Sequence, residues 1–424
     1  MKTIKMKDSG IKWIGEIPEN IQLKRIKFLV DYTKGQKPDV MNTDCIGMPY
    51  IGASEMAGAV PTNYTSDKIP ICTPKDILVL WDGAKAGLIA TNMNGAVAST
   101  VVKLTVKDEG VFPKYLFYLL KYGETYFKDK VNGTTIPHMS YDYIDDIPFI
   151  SFEISVQQKI ADFLDEKCAD IDKLIANQQG QIEKLKEYKQ AIITQAVTKG
   201  LNPSAPMKDS GVEWIGEIPE GWKVCRLKNL PDYSLKDAFV DGDWIESPNI
   251  TNEGIRYLTT GNIGDGIFRE QGNSYISEET FKRLNCKYAY PNDLVISRLN
   301  SPYGRSCLLP CDEDKYVLAV DIVILRTRNN KKYICYFTQC PKYQHSVEDL
   351  ARGTAMKRIS RSNLGNIVFL CPPIEEQQQI ADYLDNKCEH IDKLISIKQA
   401  KIEKLNEYKK SLIYEYVTGK KEVV

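Results

Sequence analysis

The chain contains itself twice. Met-Lys-Asp-Ser-Gly-Ile-Lys-Trp-Ile-Gly-Glu-Ile-Pro-Glu at residues 6–19 returns at 207–220 with Ile changed to Val and Lys to Glu. Gln-Gln-Lys-Ile-Ala-Asp-Phe-Leu-Asp at 157–165 returns as Gln-Gln-Gln-Ile-Ala-Asp-Tyr-Leu-Asp at 377–385. Ile-Asp-Lys-Leu-Ile follows at 171–175 and 391–395, and Ile-Glu-Lys-Leu at 182–185 and 402–405. Segments repeated in the same order mean two copies of one structural plan, each of roughly 200 residues. Between the matched ends, residues 20–130 and 221–350 share only landmarks. Asp76 to Leu80 aligns with Asp293 to Ser297, and Gly133-Thr-Thr with Gly353-Thr-Ala. Divergent middles fit two different ligands. Preserved ends fit one shared partner, or an interface the two copies make with each other.

The repeated ends carry an apolar stripe. In the first copy it is Leu164, Cys168, Ile171, Ile175, Ile182, Leu185 and Ile192, interrupted at Gln178 and Lys189. In the second it is Leu384, Cys388, Ile391, Ile395, Ile402, Leu405 and Leu412, interrupted at Lys398 and Lys409. Steps of three and four with charged flanks predict a coiled-coil seam. Each helix would run about 40 residues and on the order of 60 Å, well beyond the usual globular helix. Ser155-x-x-Gln158 offers a capping box for the first. Pro373, Glu375 and Glu376 suit the start of the second.

The connection between copies sets the topology. Residues 199–206 span at most about 28 Å, too little to return along such a helix. The second domain is therefore expected near the C-terminal end of the first helix. The helices would then pair antiparallel, giving a circular, pseudo-two-fold molecule with the domains at opposite ends. The boundaries follow: a first domain at 1–151, helix 152–198, linker 199–206, a second domain at 207–372 and helix 373–418. Within the domains a mixed α/β fold of short strands is expected. Strand candidates lie at 49–51, 77–81, 98–106, 257–259, 294–297 and 317–325, with modest helices at 113–121 and 331–340.

Composition excludes several classes. Lys plus Arg equals Asp plus Glu, 56 each, so any contact with phosphate comes from local patches or from a partner. No apolar run reaches the roughly 20 residues that span a bilayer, and no signal peptide is recognised, which makes the cytoplasm the expectation. The eleven cysteines lack a Cys-x-x-Cys pair and have only three histidines to help them. No metal site is expected, and buried structural thiols in a reducing compartment are.

Several features together resemble the specificity (S) subunits of type I restriction–modification systems. These are the duplicated Trp-Ile-Gly-Glu-Ile-Pro, Trp-Asp-Gly-Ala-Lys-Ala-Gly at 81–87, Gly-Thr-Thr-Ile-Pro-His at 133–138, and a Glu-Glu-Gln-Gln-type entry, as at 375–378, into each long helix. The likeness covers nearly the whole chain, and the order of the parts is its specific signal. It implies two target-recognition domains, each reading half of a bipartite double-stranded DNA site. The helices become a ruler and the dock for two methyltransferase subunits, joined by motor-nuclease subunits. It also implies no cofactor on this chain, with S-adenosylmethionine, ATP and Mg on the partners.

Base reading needs Arg, Lys, Asn or Gln at groove edges, with further donors on phosphates. The candidates in the second domain are Arg352, Lys357, Arg358 and Arg361 in one loop, and Arg298, Asn300 and Arg305 in another. Their counterparts by internal alignment are Trp81, Lys85, Thr134, Thr135 and His138. Lys34, Gln36 and Lys37 form a further polar loop. No catalytic residue is assigned. The chain has no phosphate-binding loop, no Asn-Pro-Pro-Tyr segment and no Gly-x-Gly-x-x-Gly fingerprint. The Gly-rich stretch at 261–266 reads as a hairpin, and Asp145-Asp146 and Glu375-Glu376 as element ends. A nuclease with its own acidic site would cut DNA alone with metal. A coiled-coil adaptor would show no sequence-specific retention of DNA.

Overall fold

A computed structural model describes residues 5–11, 14–131, 137–145, 147–353 and 357–423. The chain divides into two compact units, Met1–Gln179 with Gln399–Val424, and Gly180–Lys398. The C-terminal segment thus completes the first unit.

Each unit takes part of both long helices, Ile154–Lys199 and Ile374–Val417. All the expected seam residues are buried or half-buried. In the first unit Ile160, Ala161, Leu164, Cys168 and Ile171 share a core with Leu412, Ile413 and Val417. In the second Ile380, Ala381, Leu384, Cys388 and Ile391 share one with Ile192, Ile193, Ala196 and Val197. The start of one helix therefore meets the end of the other, which is antiparallel pairing. Two interruptions of the stripe are ion pairs. Lys409 Nζ lies 2.6 Å from Asp172 Oδ2, and Lys189 Nζ 2.6 Å from Asp392 Oδ2. Asp172 and Asp392 are corresponding residues of the two copies, as are Lys189 and Lys409. This is one contact made twice.

The helix starts differ from the sequence reading. The first begins at Ile154, so Ser155 lies inside its first turn and does not cap it. The repeated glutamine holds the start instead. Gln157 is buried, donating from Nε2 to Phe152 O (2.7 Å) and Gly110 O (2.8 Å) and accepting from Phe112 N (2.9 Å). Gln377 donates to Pro372 O (2.9 Å) and accepts from Asn330 N (2.9 Å). A buried amide with both ends satisfied ties each helix to the loops before it.

A tyrosine closes each unit. Tyr115 Oη lies 3.0 Å from Ile150 O and 2.9 Å from Val417 O. Tyr333 Oη lies 3.2 Å from Leu370 O and 3.3 Å from Val197 O. Both hydroxyls serve the last strand of a domain and the last turn of a long helix. The duplicated N-terminal segment packs at the same helix ends. It forms the hairpins Met6–Asp8 with Glu16–Pro18, and Met207–Asp209 with Glu217–Pro219. Ile14 and Ile17 join Leu412, Ile413 and Val417, while Ile215 and Ile218 join Ile192, Ile193, Ala196 and Val197.

The divergent middles share one framework. The main sheet of the first unit is Val30–Lys34, Val101–Val106, Ile77–Leu80 and Ile89–Thr91 in spatial order, all antiparallel. The second has Phe239–Asp241, Ile322–Leu325, Leu294–Ser297 and Ser306–Leu308. A smaller sheet beside each contains one parallel pair, Met48–Ile51 with Gly95–Val97, and Ile255–Leu258 with Tyr316–Leu318.

Some element limits moved. The run 317–325 is two strands, Tyr316–Leu318 and Ile322–Leu325, in different sheets. Likewise 98–106 holds a strand only from Val101. The helix expected at 113–121 continues to Val131. The Gly-rich stretch turns tightly, with Gly264 N donating to Ile267 O at 2.9 Å. All eleven cysteines are free thiols; Cys45 and Cys311 are exposed, which departs from the expectation of burial.

If the tyrosine closures are equivalent, Tyr115→Phe and Tyr333→Phe should each cost about 1–2 kcal/mol. Thermal denaturation, with hydrogen exchange at Val417 and Val197 to localise the loss, measures both. A cost in only one would show that the copies are not equivalent.

Candidate nucleic-acid interface

In each unit a central strand runs into a loop whose backbone is anchored in the same way. Trp81 N donates to Thr100 O at 2.7 Å, and Arg298 N to Asp321 O at 2.8 Å. Met139 N donates to Trp81 O at 2.9 Å, and Ile359 N to Arg298 O at 3.1 Å. Asp82 bridges His138 where Leu299 bridges Arg358. The loops end at Gly87 (φ 88°) and Gly304 (φ 73°). A Cβ there would come within 2.9 Å of Phe127 Cβ or of Tyr343 Oη. Only glycine combines that backbone with that approach.

The edge strand supplies a third matched position. Gly35 N donates to Val101 O at 2.9 Å and Gly242 N to Ile322 O at 2.8 Å. A Cβ on either would fall within 2.1 Å of Ala98 O or 2.3 Å of Ala319 O. The residues around these anchors therefore correspond. Lys34 answers Asp241, Trp81 answers Arg298, and His138 answers Arg358. Tyr141 answers Arg361 at the first turn of a short helix in each unit.

In the second unit the result is a guanidinium cluster. Arg298 Nε lies 3.1 Å from Asp241 Oδ1 and its Nη2 3.5 Å from Asp321 Oδ1. Arg358 Nε lies 3.1 Å from the same Asp321 oxygen, and Arg361 Nη1 3.6 Å from Asp241 Oδ2. Three cations thus share two carboxylates. Arg358 and Lys357 are exposed and Arg361 is half-exposed. Arg352 is exposed too, its backbone paired with Arg358 in both directions at 3.0 and 2.9 Å.

Arg298 and Arg305 differ from the sequence reading. They are 2% and 4% exposed. Arg298 also donates to Ile359 O (3.0 Å) and Val320 O (2.7 Å). Arg305 donates to Ile263 O, Thr260 O, Leu299 O, Asn300 O and Pro302 O at 2.6–3.2 Å. Burial pulls both guanidinium pKa values below the ordinary arginine value. Their Nη groups, and Nε of Arg305, are committed to backbone carbonyls that hold the loops. Asn300 remains exposed at φ 62°.

In the first unit the same framework carries aromatic and acid chemistry. Trp81 is buried in the core, its ring 4.4 Å from that of Tyr141 and 6.3 Å from that of His138. It is a floor for the site and its face is covered, which corrects its place among direct contacts. Lys34 Nζ lies 5.5 Å from the Trp81 ring and 3.0 Å from Asp82 Oδ2. The other Asp82 oxygen is hydrogen-bonded to His138 Nδ1. Burial works to raise the Asp82 carboxyl, but hydrogen bonds from Lys34 and His138 outweigh it and hold its pKa below the usual carboxylate value. His138, Lys85, Gln36 and Lys37 are exposed. Thr134 and Thr135 lie outside the described residues.

The sequence reading missed Asp82, Tyr141, Asp241 and Asp321. Each is acidic or aromatic, whereas base reading calls first for donors. The internal alignment offered a signal, since each sits next to or across from a candidate. Among the described residues no group of His, Cys, Asp and Glu is placed to hold a metal, and no helix is long and apolar enough to cross a membrane.

Comparison with known proteins decides the family. The type I restriction modification DNA specificity domain matches residues 18–187 and again 219–407. The chain belongs to this family. Specificity subunits are its DNA-recognising, non-catalytic components. The chain is 29% identical over 415 residues to the type I restriction enzyme MjaVIII specificity subunit of Methanocaldococcus jannaschii, covering 95% of this chain and 93% of that one. It is 21% identical to the EcoBI specificity subunit of Escherichia coli, covering 82% and 74%. A solved chain from work on complex assembly and conformational transition of the type I R-M system superposes with a TM-score of 0.68 at 16% identity, covering 95% and 98%. That likeness supports the same fold.

The burial difference within the cluster is testable by stability. Arg305→Ala strands several buried carbonyls and should cost about 3 kcal/mol or more. Arg358→Ala removes a half-exposed guanidinium whose partner Asp321 still keeps Arg298, and should cost less, about 1 kcal/mol. Chemical denaturation of the purified variants checks the contrast.

Proposed function

We propose that each unit reads one half of a bipartite duplex through the loops just described. The observation that carries this is the matched framework with unmatched side chains. Identical anchors present Lys34, Lys85 and His138 in one unit and Asn300, Arg352, Lys357, Arg358 and Arg361 in the other. A fixed backbone with exchanged side chains is what two different half-sites require. Guanidinium groups suit guanine edges or phosphates, while the Lys34–Asp82–His138 group offers both a donor and an acceptor. The acids Asp241 and Asp321 hold Arg358 and Arg361 in place before DNA arrives, which reduces the ordering cost of binding.

We further propose that the long helices dock two methyltransferase subunits and set the half-site spacing, with motor-nuclease subunits joining the assembly. Tyr188 and Tyr408 support two-copy docking. They are corresponding residues on the two helices and are 57% and 58% exposed. An aromatic kept on the outside in both copies suits an interface anchor. S-adenosylmethionine, ATP and Mg then act on the partners, in the cytoplasm.

Arg358→Ala in the assembled complex should weaken binding to a methylatable site by about 1–3 kcal/mol if a base is contacted. A phosphate contact would instead weaken all duplexes and lower the salt slope by about one. Exchanging residues 20–150 for those of another specificity subunit should change one half-site in the genomic adenine-methylation pattern. A change in both would break the modular reading. Tyr188→Ala or Tyr408→Ala alone should leave one methyltransferase bound, and the pair none, by mass measurement of the complex. Undiminished assembly of the double variant would remove this face from the dock.

A further inference from the structure

We infer that Trp244 is a DNA-contacting residue of the second unit, an apolar plate set against the bases or sugars beside the guanidinium cluster; this rests on the reading of that face as the DNA surface. The chain leaves the edge strand at Gly242 and alternates inward and outward. Asp243 is fixed, its backbone N donating to Leu318 O at 2.7 Å and its carboxylate accepting from Lys287 N at 2.7 Å and pairing with Lys287 Nζ. Ile245 packs inward with the core of Ile255, Tyr257, Ile276 and Val317. Trp244 lies between them and is 69% exposed. Trp81 and Trp222 are buried and Trp214 half-buried, so Trp244 stands apart from the other described tryptophans. Alternation sends this position outward, and the fold does not require an indole there.

Its surroundings point to the ligand. Asp241, which pairs with Arg361, is three residues earlier, at most about 10 Å along the chain. Asp243 bridges Ala319, two residues before Asp321, the carboxylate that forms ion pairs with Arg358 and Arg298. The first unit supplies the second argument. There Gln36 N donates to Val97 O at 3.0 Å, as Asp243 N does to Leu318 O. The next residue, answering Trp244, is the exposed Lys37. One outward position at the rim of the same framework thus holds a cation in one unit and an indole in the other. Pinned flanks leave the indole only its own side-chain torsions to order, which suits an aromatic contact of low entropic cost. Such plates act on duplex DNA by packing on sugars and thymine methyls or by wedging a base step.

The test uses the complex of this chain with its methyltransferase partner and a duplex carrying a genomic site that the complex methylates, titrated over a salt series. Trp244→Ala should lower affinity about tenfold with the salt slope unchanged, because an apolar contact releases no counterions. Trp244→Phe should stay within about threefold of the parent, and methyltransferase assembly should be intact in both. Arg358→Ala is measured alongside. If it weakens binding while Trp244→Ala does not, the inference about Trp244 is overturned and the reading of the face stands. If neither weakens binding, both fall. Loss of methyltransferase from Trp244→Ala would make Trp244 a protein contact and overturn the inference as well.

Discussion

The antiparallel packing of the long helices is the constraint on which the rest depends. In the first unit, Leu164 and Ile171 find their apolar partners in Leu412, Ile413 and Val417 from the far end of the sequence. The domain core and the helix seam are one continuous cluster, so the main sheet cannot be completed independently of the helix pair. Burial of this kind contributes roughly 1.5–3 kcal/mol for each large aliphatic side chain. The exposed ion pair of Lys409 with Asp172 adds little energy. It does favour one register, because a shifted helix would set the lysine against apolar neighbours.

This coupling explains why the ends are duplicated so faithfully. Each hairpin, each buried glutamine and each bridging tyrosine serves a helix start or helix end, and every one has a counterpart in the other copy. A change in one would have to be absorbed by several neighbours at close packing. The preserved ends are therefore accounted for by internal packing, beside any partner they meet. The middles are free of that demand beyond their glycine and backbone anchors. Their loop side chains can be exchanged while the carbonyls that hold them stay in place.

The two candidate faces also show how a shared backbone supports opposite electrostatics. Position for position, Lys34 over Trp81 is replaced by Asp241 against Arg298. The first unit builds on an aromatic floor with a half-buried acid and an exposed lysine and histidine. The second buries one arginine to organise two others. In both, a buried residue at the end of the central strand fixes the exposed residues around it. The residues that orient the site are thus distinct from the residues that can reach a ligand.

Much of this was legible in the chain itself. The two-copy plan, the long helices, their antiparallel pairing and the central strands at 77–80 and 294–297 follow from repetition, periodicity and a short linker, all local properties. Which basic residues are available was not legible. Arg298, Arg305, Arg358 and Arg361 look alike as letters. Only the fold buries the first two among carbonyls from residues up to 61 positions away and leaves the others at the surface. The break of 317–325 into two strands was hidden for the same reason, since its apolar run serves two sheets. Sequence alone determined the architecture, because hydrophobic period and repeat order are written along the chain. Tertiary structure alone decided which charges face outward, because burial depends on what distant segments bring to the same place.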